Sequence, residues 1–153
     1  MADKFNLVSA ELSPEVQAQV LALIAQAAAA LPFLIALSKD TRKGLAWPGV
    51  EGLEASVAIA EVIATHPELF PPAVVNPVEI KRDATLAKAL LPIRDAVAGL
   101  LQGIEDTIAG AGSDSLRGAL KGYAMAQVLK NMAPGLEARI QPMATHLDRP
   151  ARG

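Results

Sequence analysis

From Val16 to Ser38 the chain carries no charged side chain, and between Val20 and Leu37 its one polar residue is Gln26. At about 1.5 Å per residue such a run could cross a bilayer as a helix. Its punctuation argues otherwise. Ser13-Pro14-Glu15 reads as a helix start, with a hydroxyl cap, proline in the first turn and an acid at the positive dipole end. Pro32 disfavours helix in the residue before it and removes a donor, so the run should split into a helix from Pro14 and a short segment, PFLIAL. Gln17, Gln19 and Gln26 further interrupt the apolar surface. The expectation is a central core helix, with no stable membrane insertion.

The same reading continues along the chain. Ser38 caps a short exposed turn, KDTRK, and Pro48-Gly49 marks a loop. A helix over about Val50 to His66 places Leu53, Val57, Ala60 and Ala64 in one stripe, widened by Ile59 and Ile63. Glu51, Glu54, Ala58, Glu61 and Thr65 form the face left to solvent. Pro67 ends the helix, and HPELFPPAVV is a linker whose Leu69 and Phe70 are expected to plug the end of a bundle. Asn76-Pro77-Val78-Glu79 is a second start, in which Glu79 could reach back to the cap. The helix it opens is expected from about Pro77 to Ala109. Leu86, Leu90, Ile93, Val97, Leu100, Ile104 and Ile108 keep helical spacing, and Pro92 predicts a kink near Lys88. Gly110 and Gly112 read as terminators, and Ser113 or Asp114 as the cap of a further helix to Met132. Beyond Pro134-Gly135 a last amphipathic piece ends near Leu147. The expected fold is all-α, a compact bundle of four principal helices plus one or two short helices. It is read as a single helical domain over 1–153, with loose ends at about 1–12 and 148–153.

Composition sharpens this picture. Apolar residues make up 52% of 153 positions and aromatic ones 3%, so packing must be aliphatic and rich in alanine. A net charge of -2 provides no field for nucleic acid. With no cysteine, disulfides, thiolate metal sites and cysteine nucleophiles are excluded. The opening residues lack a basic stretch followed by an apolar one, so a cytoplasmic location is expected.

Little in the chain suggests catalysis. The two histidines, His66 and His146, fall near helix C-termini, where an imidazolium complements the dipole. A bis-histidine haem would fit a helical bundle, but the spacing does not require one. No Glu-x-x-His pair, His-Glu-x-x-His, phosphate-cradling glycine loop or Gly-x-Ser-x-Gly elbow occurs. No cofactor and no metal are therefore expected, and an enzyme is the less favoured class.

Arg94 and Glu105 lie eleven residues apart, nearly in line on the long helix. They either sit at the edge of an apolar face with their heads in water, or line a groove. Trp47 and Tyr123 are read as rings packing at the edge of the core. Ala96, Gly99, Gly103, Thr107 and Gly110 form one small-residue stripe. Gly118, Gly122, Met125, Leu129 and Met132 form a second face, opposite Leu116, Leu120 and Tyr123. A turn at Gly110–Asp114 would fold these stripes into an antiparallel hairpin, with Gly103 against Gly122 and Met125 above Gly99.

The phrases LPFLIALSKDTRK, ELFPP, ALLPIRDAV and AGS (111–113) resemble a group of small uncharacterised bacterial helical proteins, over roughly residues 31 to 131. The resemblance implies a self-standing helical domain and brings no activity or site residue. The residues themselves favour a non-catalytic helical binding or assembly protein that self-associates as a homodimer, with any partner protein unspecified. The alternative is a helical carrier of a small apolar ligand.

Overall fold

The computed structural model describes residues 6–71 and 74–147. Among these residues the regular structure is entirely helical: α1 (Pro14–Ala29), α2 (Lys39–Gly44), α3 (Gly49–Thr65), α4 (Pro77–Leu129) and α5 (Leu136–Leu147). The expected tail at 148–153 and the first five residues lie outside the described residues. By their contacts the residues fall into two units: Leu12–Leu100 is one, and Met1–Glu11 with Leu101–Gly153 is the other. One helix, α4, passes from the first into the second.

In the Leu12–Leu100 unit the local signals set the helix starts. The Ser13 hydroxyl accepts from the Val16 amide at 3.3 Å, with Pro14 opening α1. A hydrogen bond with the Ser13 side chain, and then the Glu15 amide, hold the Glu15 carboxyl below its usual pKa. Ser38 caps α2 in the same way, through the Thr41 amide at 3.1 Å. Gly49 opens α3 at φ 72°, a left-handed conformation that glycine adopts without strain. No helix among the described residues is long and apolar enough to cross a membrane.

Helices α3 and α4 pack antiparallel. Lys88 bonds Glu54 at 3.0 Å while Lys81 bonds Glu61 at 3.2 Å, so residue numbers rise along one helix as they fall along the other. Beside these exposed ion pairs, Leu53, Ala60 and Ile63 of α3 and Ala84 of α4 are buried. The expected stripe is thus realised at Leu53 and Ala60, but its margin shifts. Ile63 is buried, whereas Ile59 and Ala64 face outward, because the contact with α4 lies on the 53/60/63 side. Leu69 does not plug a bundle end: it is 68% exposed, in a turn bonded back to His66. Asn76 does cap α4, accepting from Val78 and Glu79 amides at 3.0 and 3.3 Å. The Glu79 carboxylate bonds Arg82 one turn on, rather than reaching back to the cap.

The predicted antiparallel hairpin is absent. α4 runs unbroken from Pro77 to Leu129, through Pro92 and through Gly110–Asp114. Gly110 and Gly112 keep negative φ; among the described residues the glycines with positive φ are Gly49 and Gly135. An interior glycine costs about 1 kcal/mol against alanine, which weakens a helix but does not end it. Asp114 caps no new helix, because it lies in the interior of α4; its carboxylate is engaged by the N-terminal segment instead. The chain turns instead at Pro134-Gly135, where Gly135 takes φ 77° and α5 begins. Gly103 and Gly122 therefore sit nineteen residues apart on one helix, and a Cβ added at either would have nothing within 4 Å. Replacing Gly122 by Ala is expected to stabilise the chain by about 0.5–1 kcal/mol, through helix propensity alone. Urea denaturation checks this; a loss of stability would mean that the glycine is in close contact.

Candidate functional site

The residues singled out by the sequence occupy bare helix surface. Arg94 is exposed and turned onto its neighbour, with Nε and Nη2 2.9 and 2.6 Å from Asp95 Oδ1. It therefore stands at a wet edge and is not joined to Glu105, which is likewise exposed. Gly118 and Gly122 meet nothing at their Cβ positions, and Met125 and Leu129 on the same face are 64% and 41% exposed; Met132, expected on that face, lies beyond the end of α4 in the following turn and is 79% exposed. On the opposite face Tyr123 is buried as expected, but Leu116 and Leu120 remain open. Trp47 is 60% exposed and packs at no core edge.

Around Tyr123 the chain forms a cleft of about 500 Å³, lined on α4 by Tyr123, Gln127 and Lys130 and on α5 by Glu137, Ile140 and Gln141. Lys130 bonds Glu137 at 3.1 Å across the 130–136 turn, and Gln127 donates to the Tyr123 hydroxyl at 2.7 Å. Buried Tyr123 and Ile140 form its floor. Four of its polar groups are thus engaged in two pairs. His66 lies 3.4 Å from Glu68, exposed, and His146 is exposed on α5. Among the described residues no three His, Asp or Glu side chains gather where they could hold a metal ion.

Sequence reasoning missed one polar device. Asp114 Oδ2 accepts from the amides of Leu7 and Val8 at 2.6 and 3.0 Å, clasping the N-terminal segment to α4. Gly110, one turn earlier, makes room for it: a Cβ there would stand 3.0 Å from Val8 Cγ2. Asp114 Oδ1 is buried with no hydrogen-bond partner among the described residues, so its desolvation offsets part of what the two amides contribute. A contact spanning 107 residues leaves no local pattern that could have announced it.

The largest feature is apolar. All residues of Pro92–Ala109 are exposed, including Ile93, Val97, Leu100, Leu101, Ile104 and Ile108. α1 buries none of its sixteen residues either. Both segments are helical, and neither has cover on any apolar side.

For the clasp, Asp114→Ala loses two charge-assisted hydrogen bonds and regains about 0.7 kcal/mol of helix propensity. The expected balance is a net destabilisation of about 1 kcal/mol, with exchange of the Leu7 and Val8 amides accelerated at least about tenfold. Nuclear magnetic resonance hydrogen exchange measures the second effect; unchanged rates would remove the clasp from the account. Compared with known proteins, the chain matches no family model, no curated protein and no solved structure.

Proposed function

We propose that the chain is a non-catalytic helical assembly protein that associates with copies of itself. The observation that supports this most is the surface left uncovered. α1 buries none of its sixteen residues, and every residue of Pro92–Ala109 is exposed. The large apolar side chains exposed there are aliphatic, among them Leu21, Leu23 and Ile24 on α1 and Ile93, Val97, Leu100, Leu101, Ile104 and Ile108 on α4, and exposed apolar helix faces support an interaction site.

A homodimer is the simplest assembly, since one self-complementary face closes it. The expected compact four-helix packing belongs to this proposal: helices without neighbours in one copy find them in the next. A cytoplasmic location and the likeness to small bacterial helical proteins are parts of the same reading. Carriage of a small apolar ligand is the competing function. The cleft beside Tyr123 favours it little, because an ion pair and an amide–phenol bond line it.

Light scattering on a sizing column, beside native mass spectrometry, tests the proposal. The expected result is a discrete multiple of 15.9 kDa with no added mass. A monomer at high micromolar concentration would overturn it. So would a constant extra mass from a bound small molecule, or a monomer that floats with lipid vesicles.

A further inference from the structure

We infer that the Asn6–Val8 segment is a strap that holds α4 as one helix, and that on its release α4 opens at Gly110–Ser113 while Asp114 turns to capping the helix beyond. Residues 110–114 read Gly-Ala-Gly-Ser-Asp. Four of the five are poor helix formers: glycine for its backbone freedom, serine and aspartate because their side chains compete for backbone amides. Taken alone, the stretch ends one helix and caps the next. Yet α4 is helical throughout it. The cover along this part of the helix falls on the same residues. From Pro92 to Gly122 every residue is exposed except Gly110, Ser113 and Asp114, which are half-buried. Spacings of three and four residues place them on one face. Leu7 and Val8 touch that face. Their amides donate to Asp114 Oδ2 at 2.6 and 3.0 Å, and a Cβ at Gly110 would stand 3.0 Å from Val8 Cγ2 and 3.7 Å from Leu7 Cβ. The strap thus bears on the helix where its own sequence supports it least.

The two uses of Asp114 exclude each other. As a cap, its carboxylate would accept from the amides of Leu116 and Arg117, two and three residues on. In a continuous helix those amides belong to the carbonyls of Gly112 and Ser113, and they need another acceptor only once the turn before them has opened. The same carboxylate therefore holds either the strap or the start of a second helix. Bonds to Leu7 and Val8 favour the continuous form, because they exist only in that form. The strapped form also bears a cost. Asp114 Oδ1 is buried without a hydrogen-bond partner among the described residues, and release would return that oxygen to water. Gain and cost on one side chain keep the two forms near balance. Gly110 suits both: it leaves room for Val8 in the strapped form, and it ends a helix without strain in the open one.

The test releases the strap without touching α4. In the full chain, Leu7→Pro with Val8→Pro removes both backbone donors and leaves every residue of the helix as it is. Nuclear magnetic resonance reads the outcome. Exchange protection of the Leu116 and Arg117 amides should fall at least about tenfold. The Cα shifts of Gly110–Ser113 should move from helical toward coil values, while those of Ala124–Leu129 stay helical. A second variant adds Asp114→Ala to the released chain. It removes the cap of the open form and supplies a better helix former, so protection of Leu116 and Arg117 should recover by about tenfold. Unchanged protection and shifts in the Leu7→Pro, Val8→Pro chain would reduce the segment to a passive tail and overturn the inference. A loss of protection spread evenly through α3 and α4 would overturn it as well, as would an Asp114→Ala addition that fails to restore protection.

Discussion

Each apolar side of a helix needs a neighbour, and α1 and the middle of α4 present more apolar sides than their own chain covers. Alanine and glycine explain how this arises. They keep helices slender and allow close approach, but contribute little area to a core. What is buried among the described residues is correspondingly small: Leu53, Ala60, Ile63 and Ala84 in one unit, Tyr123 and Ile140 in the other. A fully exposed helix of five turns is marginal in water on propensity alone. Packing by another copy would supply the burial that the Pro92–Ala109 segment lacks.

The polar contacts set geometry more than they supply stability. The Glu54–Lys88 and Glu61–Lys81 pairs are exposed, and pairs of that kind contribute about 0–1 kcal/mol. Their value is in register, since a seven-residue step on each helix leaves Ala84 facing the apolar side of α3. The Asp114 clasp does the same for the N-terminal segment, tying Leu7 and Val8 to a point on α4 that the intervening chain leaves and returns to. Removal of the clasp should therefore be felt first in the segment it holds.

What was legible in the sequence was local. Ser13, Ser38 and Asn76 cap the helices they were expected to cap, because a side-chain oxygen and an amide two or three residues on are all that a cap requires. Gly49 and Gly135 turn the chain because their φ values suit glycine. The all-helical fold follows from these signals and from the apolar spacing. The failed hairpin shows the limit. Gly110 and Gly112 resemble terminators in isolation, yet a cost of about 1 kcal/mol each does not stop a helix that has no proline to force the turn. The engagement of Asp114 by an amide 107 residues away could not be read locally. Gly118, Gly122, Met125 and Leu129 share one helix, but they lie bare because the expected partner helix is the continuation of the same one, and Met132 falls beyond its end.

The central claim is that Pro92–Ala109 is covered by another copy of the chain. Hydrogen exchange followed by mass spectrometry, at high micromolar and at nanomolar concentration, tests it most directly. The account predicts strong protection of the peptide amides in this segment at high concentration and its loss on dilution, while the amides of α3 between Leu53 and Ile63 change far less. Protection of Pro92–Ala109 that is the same at both concentrations would show that the segment needs no second copy, and would contradict the account.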